Sequence, residues 1–222
     1  MKVIGDVHGK FFAYWEKIKQ SQYSIQLGDF GFASDWYRLI GNKINSDNHK
    51  IIPGNHEDYY GIRNEYTFGK DYGDVNWHGL NFFFVRGAYS VDYNLRTIGL
   101  SWWPQEELSY QEFNKAIDLY ESKRPEIMLS HDGPGEIAST LNKRPYIKNR
   151  TGDALYRMFE LHKPKIWIFS HWHYNTFETI DGTFFVVLDE LSDIEYDTEK
   201  SVADNILLIE HQMIHKRKPL RW

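Results

Sequence analysis

The chain has 222 residues, 41% hydrophobic and 17% aromatic, enough for a sizeable core, so disorder of the whole chain is excluded. Its formal net charge of −5 argues against a non-specific nucleic-acid binder with a broad basic face; an anionic substrate stays open, because bound metals can reverse the local field. With no cysteine, disulfides, thiolate metal sites and a cysteine nucleophile are all excluded.

The opening "MKVIGDVHGK" has no signal-peptide pattern, and no apolar run reaches the ~18 residues of a membrane span. The expectation is one cytoplasmic domain over residues 1–222, with no membrane partner and no readable oligomeric state.

Short apolar runs alternate with polar turns and helix-like segments. "KVI" runs into "GDVHGK" and the helical spacing of "FFAYWEKIKQ". "YSIQL" runs into "GDFGFAS", then the helix candidate "DWYRLIGNKI"; "HKIIP" runs into "GNHED", then "YYGIRNEY". Three such units in the first 66 residues read as a parallel α/β sheet. Further on, "LNFFFVRG" and "NLRTIGLSWW" read as neighbouring strands, and "QEELSYQEFNKAIDLYESK" as a long helix. "EIMLSHDGP" is strand into turn, "GDALYRMFELHK" a helix, and "KIWIFSHWHYN" strand into turn again. "DELSDIEYDTEK" reads as a charged loop, and "TFFVVLD" and "NILLIEHQM" as closing antiparallel strands. The strand-rich second half predicts a second sheet facing the first.

Five strand candidates end in turns that carry ligand-type side chains. These are Asp6 and His8, Asp29, Asn55 and His56, His131, and finally His171 and His173. In open α/β sheets, sites form outside the carboxyl ends of the strands, so all five turns can converge on one edge. Alternation along an extended segment puts Asp6 and His8 on one side with Val7 opposite, and His171 and His173 on one side with Trp172 opposite. Taken singly, each turn has a plainer reading. Asp6 suits an Asx turn, "GDFG" a plain turn, and Asn55 a helix cap with Glu57 in the first turn; His131 suits a core or surface position. Their joint order favours a dinuclear centre of oxygen and nitrogen ligands, which suits Mn²⁺, Fe or Zn²⁺.

The order "GDVHG", "GDFG", "GNHE", "H", "SHWH" resembles the calcineurin-like metallophosphoesterase superfamily across positions 5–173. The resemblance implies an α/β fold, a four-layer α/β/β/α sandwich with two mixed β-sheets flanked by helices. It implies that Asp6, His8 and His173 hold one divalent ion and Asn55, His131 and His171 the other, with Asp29 bridging both. Mn²⁺ is expected first, with Fe, Zn²⁺ or Ni²⁺ as alternatives. His56 then faces the leaving oxygen as acid or transition-state stabiliser, supported by an acidic neighbour for which Asp58 and Asp35 are candidates. Such a site hydrolyses phosphate esters by attack of a metal-bridging hydroxide.

The sequence departs from the family pattern twice. Ser170 stands where glycine is usual, and a positive φ there would cost more than with glycine. The Ser/Thr protein-phosphatase branch carries Gly-Asp-x-x-Asp-Arg-Gly, whereas this chain reads Gly28-Asp29-Phe30-Gly31-Phe32-Ala33-Ser34 and lacks that phosphate-gripping arginine.

Asn55, His56 and Arg86 are the substrate-binding candidates, with Arg96 a second guanidinium able to fork onto phosphate. Tyr59, Tyr60, Trp102 and Trp103 could stack on a base, although core packing suits most of them better. The basic tail (Lys216, Arg217, Lys218, Arg221) suits a solvated end better than nucleic-acid contact. The expected substrate is a small phosphodiester or nucleotide-type ester. The alternatives are a protein or nucleotide phosphomonoesterase, a dinucleoside-polyphosphate hydrolase, a metal-dependent nuclease, and a catalytically silent scaffold.

Overall fold

The computed structural model describes residues 1–33 and 35–216. Arg217, Lys218 and Arg221 of the basic tail, and Ser34, lie outside the described residues. The first strand-and-helix units are present. β1 (Lys2–Ile4) leads to α1 (Phe11–Ile18), β2 (Ser24–Gln26) to the one-turn α2 (Trp36–Leu39), and β3 (His49–Ile51) follows. The helix expected over 59–66 shrinks to a 3₁₀ turn at Asn64–Tyr66. Asp58 competes for the backbone there: its Oδ1 accepts the Tyr60 N–H at 3.0 Å and its carbonyl accepts the Gly61 N–H at 2.8 Å.

The hairpin β4 (Tyr72–Trp77) and β5 (Leu80–Val85) comes next, followed by α3 (Tyr110–Lys123) and β6 (Ile127–Ser130). After these run α4 (Gly135–Asn142), α5 (Arg150–Leu161) and β7 (Ile166–Phe169). The chain continues through β8 (Thr176–Ile180), β9 (Thr183–Val187), β10 (Asp193–Glu195) and α6 (Val202–Ile214).

Three further expectations change. Residues 94–103 form no strand. A 3₁₀ turn at Tyr93–Leu95 is followed by a reversal at Gly99 (φ 75°), closed by one bridge between Ile98 and Trp102. The segment "NILLIEHQM" is helical. Its apolar run reads as a strand, but Ser201 caps the Asp204 N–H, and Val202, Ile206, Ile209 and Met213 repeat at helical spacing towards the core. The charged stretch 189–200 contains β10, which pairs antiparallel with β1, while β9 runs parallel to β7 and antiparallel to β8.

Both sheets are mixed. The first has the order β10-β1-β2-β3 and the second β4-β5-β6-β7-β9-β8. Alternation along the strands sorts side chains into three apolar layers. Val3, Ile25, Leu27 and Ile52 meet Phe82, Phe84, Leu129, Ile168 and Val186 between the sheets, with Ile209 and Met213 of α6 among them. Phe83, Val85, Met128, Trp167 and Phe185 point the other way, under α3, α4 and α5. Ile4 and Ile51 pack under α1 and α2 with Tyr14, Phe30 and Trp36. Helix, sheet, sheet, helix is thus the layer order, as expected. In the parallel sets, Ile4 pairs with Gln26, Gln26 with Ile51, and Leu129 with Ile168, so the carboxyl ends of β1, β2, β3, β6 and β7 fall near one edge.

Candidate metal centre

The turns after those five strands bring the predicted ligands together in two groups: Asp6, His8 and His173, and Asp29, His131 and His171. Close backbone approach makes this possible. A Cβ on Gly28 would run into the His131 ring, and one on Gly54 into the backbone and carboxylate of Asp29. The two sheets are tied here as well, since His131 Nδ1 lies 2.6 Å from the Leu27 carbonyl.

Simple alternation does not account for the aim of the side chains. His8 (φ 47°), Asp29 (φ 50°), His171 (φ 65°) and His173 (φ 52°) are all left-handed. That conformation costs non-glycine residues of order 1–3 kcal/mol each and persists only where the surroundings enforce it. Val7 is buried and Trp172 packs behind its turn, donating from Nε1 to Asp132 Oδ1 at 2.8 Å. Ser170 is not strained, because the left-handed residues are its neighbours. Its hydroxyl donates to the Leu27 carbonyl at 2.8 Å, beside His131.

Asp29 stands between the groups. Its Oδ1 lies 3.2 Å from His131 Nε2 and accepts the His56 N–H at 2.7 Å, while its Oδ2 lies 3.7 Å from His8 Nε2. Asn55 Oδ1 is 3.0 Å from His131 Nε2, and the Asn55 amide nitrogen donates to Ser90 Oγ at 2.8 Å, which fixes which end faces the histidines. Asp6 Oδ2 lies 3.6 Å from His8 Nε2 and 3.5 Å from His173 Nε2.

Charge accumulates in the site. Burial works against the charged form of Asp29, yet the His131, His56 and His171 rings hold its carboxyl below the usual range. Burial likewise opposes charge on His131, but Asp29 and Asp6 outweigh it and raise the ring to about 10. A proton on His131 and a bound cation answer the same negative charge. Three buried atoms, Asp6 Oδ2, Asp29 Oδ2 and His171 Nδ1, carry no hydrogen bond. Orphaned buried polar atoms are costly, and two carboxylate oxygens and an imidazole nitrogen in one place form a donor set suited to divalent cations.

The stretch of chain that carries this edge is diagnostic. Residues 1–175 match the family model described as calcineurin-like phosphoesterase. The chain belongs to that family. It is a hydrolase of phosphate esters, and its family uses divalent metals. No curated protein matches it. Solved structures that match include a dimetal phosphatase from Danio rerio, at 12% identity and a TM-score of 0.48 over 88% of this chain and 89% of that one. Another is a putative 5′-nucleotidase from Staphylococcus aureus, at 13% identity and 0.49 over 96% of this chain and 57% of that one. Phosphopantetheinyl hydrolase from Mycobacterium tuberculosis gives 11% and 0.46 over 100% and 93%. Likenesses this distant add nothing to the family assignment. Among the described residues, no helix is long and apolar enough to cross a membrane.

A cavity of about 540 Å³ opens beside Asp29, Asn55, His56, His171 and His173, with Tyr89, Tyr146 and Trp172 on its walls. His56 is exposed to it. Neither acidic candidate supports its ring: Asp58 holds Tyr60, and Asp35 begins α2. Arg96 is there instead, its Nη2 2.8 Å from His56 Nε2. Desolvation of the ring and the charge of Arg96, against the pull of Asp29, push His56 down to about 4.

Arg86 does not reach this cavity. It is buried, with its guanidinium bonded to Asp71, to the Tyr59 hydroxyl at 3.0 Å and to the Gln105 carbonyl at 2.6 Å. Tyr59, Tyr60, Trp102 and Trp103 are likewise absent from its walls.

Glu57 does more than its place in a first helical turn implies. Its buried carboxylate accepts the N–H groups of Phe30, Gly31, Phe32 and Gly54 at 2.8–3.2 Å and so shapes the Asp29 turn. Burial and the nearby Asp29 charge push it up to about 7. It lies inside "GNHE", which was the signal available. Ser90 and Glu106, bonded to one another behind Asn55, carried no signal at all.

Proposed function

We propose that the chain hydrolyses a phosphodiester or nucleotide-type phosphate ester. Asp6, His8 and His173 hold one divalent ion, Asn55, His131 and His171 hold the other, and Asp29 serves both. The observation that carries this reading is the split of Asp29, whose two oxygens face different histidine groups, Oδ1 at 3.2 Å from His131 and Oδ2 at 3.7 Å from His8. The three orphaned polar atoms support it. Mn²⁺ is the ion proposed first.

When bound, such a pair of ions neutralises phosphoryl oxygens and makes water acidic enough to attack near neutral pH. The protein's own groups do the rest. Glu57 fixes the turn that aims Asp29, and Ser90 fixes the amide of Asn55. His56, on the cavity side, steadies charge on the phosphoryl oxygens or the leaving oxygen. The Tyr89, Tyr146 and Trp172 walls leave room for a second ester substituent or a base, which favours the diester and nucleotide classes.

The test is a panel of mono- and diesters, including 2′,3′- and 3′,5′-cyclic nucleotides, assayed after chelation and after return of Mn²⁺, Fe, Zn²⁺ or Ni²⁺. Chelation is expected to abolish hydrolysis and Mn²⁺ to restore it. In the same assay His56→Ala should lower turnover by ~10²-fold with metal content unchanged. Hydrolysis that survives exhaustive chelation would refute the two-ion reading, and activity on monoesters alone would refute the diester preference.

A further inference from the structure

The strand-end turn "GDFGFAS" carries no arginine, yet a guanidinium reaches the cavity from elsewhere. Arg96 follows the 3₁₀ turn at Tyr93–Leu95, and its side chain is 11% exposed on the cavity wall beside His56. Its Nη2 lies 2.8 Å from Asp92 Oδ1 and 2.8 Å from His56 Nε2, and its Nη1 lies 4.0 Å from Glu106 Oε1. A guanidinium only donates, so in this contact the histidine nitrogen accepts.

One of these contacts is an anchor and one is replaceable. Asp92 holds the arginine by charge at 2.8 Å, and Glu106 borders it from 4.0 Å. His56 offers a neutral acceptor, and an anionic phosphoryl oxygen is a stronger partner for an arginine N–H. The same Glu106 also accepts from Ser90, which accepts from Asn55. One buried carboxylate therefore lies beside both Arg96 and the hydroxyl that orients a proposed metal ligand.

We propose that Arg96 is the phosphate-gripping residue of this enzyme. It releases His56 when substrate enters and donates to a non-bridging phosphoryl oxygen. The assignment rests on the phosphoesterase reading above. It replaces Arg86, which lies off the cavity with its Nε and Nη1 donors bonded to Asp71, Tyr59 and Gln105.

The experiment titrates inorganic phosphate into the Mn²⁺-loaded full chain by calorimetry, for wild type, Arg96→Ala and Arg96→Lys, with metal content measured on each sample. Wild type should bind phosphate. Arg96→Ala should keep both ions and bind phosphate roughly 10- to 100-fold more weakly, the scale of one hydrogen bond to a charged group. Arg96→Lys should recover part of that loss, since lysine keeps the charge but not the planar fork. The loss should also appear in kcat/KM on a nitrophenyl diester.

Unchanged phosphate affinity in Arg96→Ala would overturn the proposal and leave Arg96 as a positioning residue for His56. Affinity lost together with the ions, in both variants, would overturn it in favour of a structural role. Wild type that binds no phosphate would overturn it too. Wild type that binds phosphate but cleaves no ester in the panel would sink the hydrolytic reading, while the affinity ratio would still decide the role of Arg96.

Discussion

At the strand ends, Asp6, Asp29, Asn55 and His131 are at most 1% exposed, whereas on the segment 91–100, which lines the same cavity, Val91, Leu95, Ile98 and Leu100 are 65–89% exposed. The strand-end wall is crowded. Its glycines admit no Cβ at Gly28 or Gly54, and four of its ligand-type residues sit in left-handed backbone. The 91–100 segment is tethered instead by polar contacts, through Arg96 to His56 and Glu106 and, just before its start, through Ser90 to Asn55 and Glu106. Groups that must converge against strain and mutual charge are placed where packing overdetermines them. The side chain proposed to meet substrate first is placed where contacts can be exchanged.

Asp29→Asn tests the crowded wall most severely. The variant keeps the shape but removes the charge that faces His131 on one side and His8 on the other. Affinity for both ions should fall by more than about 100-fold, beyond what loss of an outer-sphere contact costs, and hydrolysis should fall with it. Elemental analysis that finds two full sites would contradict the shared role of Asp29.

The sequence was most informative where chemistry is local. The five turns are short, polar and set after apolar runs, so their order and side chains are legible in the chain itself. The layer order came from the family resemblance, and the structure realises it through "FFFV" and "IWIF", whose alternate residues face opposite layers. What failed depended on long-range context. The run "ILLI" is a local exception: it looks the same in a strand or a helix, and Ser201, four residues before Asn205, was the deciding cap. Arg86 and Arg96 were equivalent on paper. Only the fold shows that one is enclosed by Asp71 and Gln105 and the other touches His56. Neither Asp58 nor Asp35 supports His56; the group at its Nε2 comes from 40 residues away and carries a positive charge.

Ser170→Gly probes the strand-end wall more gently. The hydroxyl shares the Leu27 carbonyl with His131 Nδ1, so its removal leaves that carbonyl with one partner. The expected cost is about 1–2 kcal/mol, one hydrogen bond plus the greater freedom of glycine in the unfolded chain. In a chain of this size that lowers Tm by roughly 3–7 °C. Metal content should not change, because His131 keeps its own contact with Leu27. Loss of metal from this variant would show that the serine, and not the carbonyl alone, orients His131.

Leu95→Ser should have the smallest effect and bears on the other wall. Leu95 is 89% exposed and belongs to none of the three apolar layers, so its side chain gives the folded state little burial to lose. Stability should stay within about 0.5 kcal/mol of wild type, as for surface positions free of caps, strain or buried partners. Metal content and turnover of a small nitrophenyl ester should also be unchanged, because neither depends on an outward side chain one residue before Arg96. A fall in Tm of several degrees would break the comparison. It would mean that the 91–100 segment is held by apolar contacts of its own, and the tether through Asn55, Ser90 and Glu106 would no longer suffice to explain how Arg96 is kept at the cavity wall.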